Sequence, residues 1–191
     1  MNNHEDQQSI NSKERIEVIF KKILRYDFYI NSTNTKASII IAWNGTVIGT
    51  TLLKYNSIIS LYRIPEWAYL ISNILLLIIA LSSLTSIAFI FQVINPFLSS
   101  DHKHKTDKNS NSLLFFGSIA KMRFDDYIKR ESSISYEELL SDLKEQSYIL
   151  ATGLNIKMLN MRRSIKAIYC GLISLSILAL IKGVITYVLV G

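Results

Sequence analysis

Polar and apolar residues fall into blocks along this chain. Charged residues are missing from 37–53, from 67–98 and from 167–181, and the last block resumes after Lys182 as 183–191. The segments 1–15 and 99–112 are almost wholly polar. A bilayer core takes about 20 apolar residues of helix, with roughly 17 to 25 the usual range. The second block exceeds that length and the other two just reach it. Long apolar helices also form the centres of large soluble bundles, but a chain of 191 residues has too little polar covering to hide three of them. The pattern predicts an all-α integral membrane protein with three transmembrane helices. A helical module on the cytoplasmic side lies between the second and the third. The expected segments are 1–36, 37–98 (two spans and a short outer loop), 99–166 (the module) and 167–191.

The first block has more small and polar residues than lipid contact requires. Ser38, Ala42, Gly45 and Gly49 recur every three or four residues, and Gly45 and Gly49 form a GxxxG pair. Apolar surface gives no driving force between helices inside lipid, so spans associate by close backbone approach and polar contact. This stripe is therefore expected to be a helix-packing face, with Asn44 beside it hydrogen-bonding across; a water path past Asn44 is the alternative. "SSLTS" at 82–86 and Asn73 repeat the theme in the second block, which Pro65 and Pro96 bracket. Trp67 and Tyr69 are placed as interface anchors. Lys182, costly at membrane depth, lies close enough to the chain end to reach the outer face by its stem.

Charge gives the orientation. Of 21 Lys and Arg, six lie in 1–36, two in 54–66 and twelve in 99–166, with Lys182 the last. Positive flanks favour the cytoplasm, so the N-terminus and the module are expected inside and the C-terminus outside. This bias accounts for most of the net charge of +6 without nucleic-acid binding. Cys170 is the single cysteine and forms no internal disulfide. About 35 polar residues precede the first block, so it is not a secretory signal.

Within the polar segments, 1–12 is expected to be disordered. From Lys13 to Ile30, Ile16, Phe20, Ile23 and Ile30 fall near helical spacing, with Lys21, Lys22 and Arg25 between them. That pattern is an amphipathic helix, with its basic face either on anionic headgroups or packed on the module. His102 and His104 in the 99–112 linker lack a third fixed ligand, so no metal site is expected. Ser135 with Glu138 three residues later is a capping box. It opens one long helix that runs into the third span, with Leu139, Leu143, Gln146, Ile149 and Leu150 on its inner stripe. Asp125 and Asp126 are adjacent, about 100° apart on a helix, and make a poor catalytic pair. No Gly-rich phosphate loop or Ser–His–Asp arrangement is present, so the chain does not read as an enzyme.

"TKASIIIAWNGTVIG", "LLFFGSIAKMRFDDYIKR" and "LLSDLKEQSYILATGLNIKML" before a final span resemble the transmembrane effectors of Pycsar anti-phage systems, in the same order over roughly residues 25 to 190. The chain departs from that family's pattern in two respects: Asn34 and Thr35 stand where an acidic residue commonly precedes the KAS lysine, and Gly153 where an apolar residue is usual. The resemblance implies an effector in the bacterial inner membrane. It would be activated by cyclic UMP or cyclic CMP from a partner cyclase and would impair the membrane, giving abortive infection. It implies no cofactor beyond that activating ligand. Recognition of a cyclic mononucleotide calls for a cation, a stacking aromatic and amide hydrogen bonds. The residues expected to supply them are Lys121, Arg123, Arg130 and Lys157 for phosphate, Phe124, Tyr127 or Tyr148 for stacking, and Gln146 for the base edge. Three thin spans enclose no pore alone, so a homo-oligomer is expected. The competing reading is a constitutive membrane assembly subunit whose cytoplasmic hairpin binds a protein partner.

Overall fold

The structure is a computed structural model that describes residues 2–59, 65–95 and 112–190. The described residues form five helices and no strand: α1 (Asn2–Ile59), α2 (Glu66–Ile94), α3 (Phe116–Ile119), α4 (Phe124–Ser133) and α5 (Tyr136–Val190). They divide into two compact units, Met1–Asn31 with Phe97–Asn155, and Ser32–Pro96 with Ile156–Gly191. The linker histidines and Pro96 lie outside the described residues.

Local sequence sets the helix ends. α2 starts at Pro65, whose fixed φ suits a helix start and whose carbonyl accepts from Ala68 N at 2.9 Å and Tyr69 N at 3.1 Å. It stops at Asn95, which has ψ 128° because the residue before a proline is pushed out of the helical region. α5 begins with the capping box that the sequence predicts. Ser135 N donates to Glu138 Oε2 at 3.0 Å, and Glu138 N donates to Ser135 Oγ at 3.3 Å. The Ser135 amide, and then its hydroxyl, hold the Glu138 carboxyl below its usual range. α1 differs from expectation by starting at Asn2 instead of Lys13. Residues 2–12 contain no proline or glycine to stop it.

Among the described residues, two helices are long and apolar enough to cross a membrane, α2 and the apolar part of α5. The 37–53 stretch of α1 does not reach that standard. It has 17 uncharged residues, and Asn44 and its serine and threonine hydroxyls lower its hydropathy.

Burial on each long helix follows steps of three and four. In α5 the covered positions include 143, 146, 150, 153, 157, 160, 164, 167, 171, 174, 178, 181 and 185, and in α1 they include 16, 19, 23, 26, 30, 33, 37, 40, 44, 47 and 51. α2 keeps the same rhythm through Ala68, Ser72, Leu75, Ile79, Ser82, Ser86 and Val93. Within each unit, steps averaging about 3.5 residues are the spacing at which a helix keeps one face towards a neighbouring helix.

In the second unit α2 runs antiparallel to α1 and α5. Ala37 packs with Ile90, Val93 and Met161 in one apolar layer. Leu75, Leu76, Ile79 and Leu178 form another, with Val47 and Ile181 against it. The polarity of this unit is reversed relative to a protein in water. Ser72, Ser82, Ser83 and Ser86 are buried, while Leu77 (59% exposed), Phe91 (62%) and Leu180 (69%) face outward. An apolar exterior around a hydroxyl-lined seam suits lipid surroundings.

Candidate functional site

The second unit is held together by polar contacts at three levels. Between the two apolar layers, Asn44 Nδ2 donates to Ile40 O in its own helix and to Ser86 Oγ of α2, both at 2.9 Å. Ser86 Oγ lies 2.8 Å from Ser164 Oγ of α5. One amide and two hydroxyls, each no more than 1% exposed, thus connect all three helices. A buried polar residue at a seam position fixes register, because any slip leaves it unsatisfied.

At one end of this unit Lys157, 6% exposed, projects from α5 onto the terminus of α2. Its Nζ donates to Val93 O and, at 3.4 Å each, to Asn95 O and Asn34 Oδ1. The final carbonyls of a helix lack intrahelical partners and carry negative partial charge. A lysine there satisfies them and neutralises the dipole end. Towards the other end, Lys182 Nζ donates to Ser57 O in the last turn of α1 at 3.4 Å, and Tyr55 Oη donates to Asn73 Oδ1 at 3.0 Å. Two lysines of α5 therefore each address the carboxyl end of one neighbouring helix.

At Gly171, α5 passes close against Ser82 of α2. A Cβ placed there would lie 2.5 Å from Ser82 Oγ. Gly171→Val is expected to cost about 1–3 kcal/mol through overpacking, read as a lower thermal midpoint in detergent. Adding Ser82→Gly should restore most of it.

In the first unit the chain enters from the linker through a knot of hydrogen bonds on α5. Ser112 Oγ donates to Asp142 Oδ1 at 2.7 Å, and Leu113 N to Asp142 Oδ2 at 3.0 Å. Ser112 Oγ in turn accepts from Leu114 N, from Phe115 N and, at 3.3 Å, from Gln146 Nε2. Beside this knot a cavity of about 380 Å³ lies between α4 and the first turns of α5. Arg130, Ser133, Glu138, Ser141, Asp142 and Glu145 contribute its polar wall, and Leu113 and Ile134 its apolar wall. It combines one guanidinium, several carboxylates and hydroxyls with an apolar surface, in a size suited to a small ligand.

The expected site residues are dispersed between these features. Arg130 lines the cavity, and Gln146 touches the knot at its edge. Tyr127 is half-buried one turn before Arg130, whereas Lys121, Arg123, Phe124 and Tyr148 are exposed. Lys157 belongs to the second unit. Of the packing stripe, Ser38, Ala42 and Gly45 are exposed and Gly49 is half-buried, and added Cβ atoms at the two glycines would meet nothing within 4 Å. Asn44 lies on the inner seam. Ser164, Asp142 and Gly171 were not legible as site residues. A 3.5-residue spacing of small polar positions along α5 is the signal that finds Ser164 and Gly171. Among the described residues no group of three or more His, Cys, Asp or Glu is placed to hold a metal ion.

The chain is 29% identical over 140 residues to the Pycsar effector protein EcPycTM of Escherichia coli, covering 73% of this chain and 75% of that protein. No solved structure matches it. The Pycsar effector protein domain matches residues 19–184, which takes in most of α1, all of α2 to α4 and nearly all of α5. The chain belongs to the Pycsar effector family of transmembrane proteins.

Proposed function

We propose that this protein is the membrane-impairing effector of a cyclic-pyrimidine-nucleotide anti-phage system. It sits in the bacterial inner membrane with three spans and a cytoplasmic N-terminus, the 37–53 part of α1 being the first span. Cyclic UMP or cyclic CMP from a partner cyclase switches it on, and loss of the membrane barrier causes abortive infection. Beyond family membership, one observation carries the reading. α5 is a single helix from Tyr136 to Val190. A ligand shifts a protein between states only through unequal affinity for them. The start of α5, which lines the cavity beside Asp142, and the apolar segment are carried by this one helix.

The cavity beside Asp142 is the proposed ligand site. Arg130 would hold the cyclic phosphate, Glu138 or Glu145 would accept from the free 2′-hydroxyl, and Gln146 would meet the base edge. The outward Ser38–Ala42–Gly45–Gly49 stripe supports self-association of copies in the bilayer, since small residues allow close helix approach there. The test is equilibrium binding of cyclic UMP, cyclic CMP, cyclic AMP and cyclic GMP to the full chain in detergent. Binding of a pyrimidine nucleotide, weakened about tenfold or more by Arg130→Gln, is the expected result. Failure of all four to bind a correctly folded sample would contradict it.

A further inference from the structure

The basic face of α1 has a use separate from both the bundle and the Arg130 cavity. Within the first unit, a groove of about 420 Å³ is lined by Glu14, Arg15, Val18, Ile19 and Lys22 of α1 and by Lys144 of α5. Arg15, Val18, Ile19 and Lys22 share one face because they are spaced by three, four and seven residues. Lys144 follows the buried Leu143 and brings a third cation from a second helix. The neighbouring Lys21 is ion-paired with Glu17 at 2.6 Å. Among the described residues no such pair engages Arg15, Lys22 or Lys144. Three unpaired cations from two helices repel one another around an apolar floor and face one carboxylate. That arrangement favours an anion with an apolar or flat body.

We infer that this groove is a second ligand site, taking a phosphate ester through Arg15, Lys22 and Lys144 with its body against Val18 and Ile19. A soluble phosphate ester and the headgroup of an anionic phospholipid share this chemistry. The inference stands apart from the nucleotide trigger, because its test uses neither a cyclic nucleotide nor leakage.

The test measures thermal stability of the full chain as sodium phosphate replaces sodium chloride at constant ionic strength, in lipid-free micelles. It is repeated without phosphate in nanodiscs of phosphatidylcholine alone or mixed with phosphatidylglycerol. The proteins are wild type, the triple variant Arg15→Gln/Lys22→Gln/Lys144→Gln, and Lys21→Gln as a control for loss of an exposed charge. Saturable stabilisation of wild type and Lys21→Gln, with at least a tenfold weaker response in the triple variant, is the expected result. Stabilisation by phosphate in micelles assigns a soluble ester; stabilisation by phosphatidylglycerol discs alone assigns the headgroup. An equal response of the triple variant and Lys21→Gln in every arm, or no response by wild type in any, overturns the site. If the triple variant does not fold, the single variants Lys22→Gln and Lys144→Gln carry the same comparison.

Discussion

Replacing Asn44 by leucine is expected to loosen the bundle and raise its resting leakiness without any ligand. Leucine leaves Ser86 without its amide donor and puts a branched apolar side chain into a fully covered position. Overpacking of this kind costs about 1–3 kcal/mol. The hydrogen bond itself accounts for the smaller share, because interhelical bonds in membrane proteins average about 0.6 kcal/mol and reach about 1.7. A double-mutant cycle with Ser86→Ala, read from unfolding in detergent, should return a coupling in that range. Asn44→Ser, which keeps a donor, should lie between wild type and leucine. Ser164→Ala should be milder than Asn44→Leu, since Asn44 and Ser86 stay bonded. If Asn44→Leu matched wild type in both stability and leakage, the polar seam would not hold the resting state.

Lys157→Met is the second large effect. Methionine keeps an unbranched chain of similar length but removes the ammonium that faces Val93 O, Asn95 O and Asn34 Oδ1. Hydrogen bonds to charged groups contribute about 1.5–3 kcal/mol, and buried carbonyls left without donors add a desolvation cost. The loss should appear first as faster amide exchange in the last turn of α2 and then as a lower midpoint. Because Lys157 is covered, added salt should change its contribution little. Lys182→Met removes a comparable contact at an exposed position and should cost much less.

The hydropathy blocks were enough to find α2 and the apolar part of α5, and the Ser135–Glu138 pair was enough to find where α5 starts. Asn44 was legible because an amide in an uncharged run needs a partner, though Ser86 as that partner was not. What hid the rest is that hydropathy looks for apolar residues inside, whereas here Ser86, Asn160 and Ser164 are buried while Leu77, Leu84 and Leu180 face out. Lys157 read as a candidate for phosphate because it is a cation within the 113–160 segment. Its use depends on where α2 ends, and that is set by Pro96, far away in sequence. The cavity beside Arg130 was half legible. Arg130 and Gln146 were in view, but Asp142 and Ser112 meet only once the 112–115 turn folds onto α5.

Dye release from liposomes carrying the full chain tests ligand gating most directly, with cyclic UMP, cyclic CMP, cyclic AMP and cyclic GMP added singly at equal concentration. Release is expected with a pyrimidine nucleotide, none with the two purine nucleotides, and a rightward shift of the response in Arg130→Gln. Intact liposomes with all four nucleotides, at verified insertion, would contradict a ligand-gated effector and leave a constitutive assembly subunit as the better description.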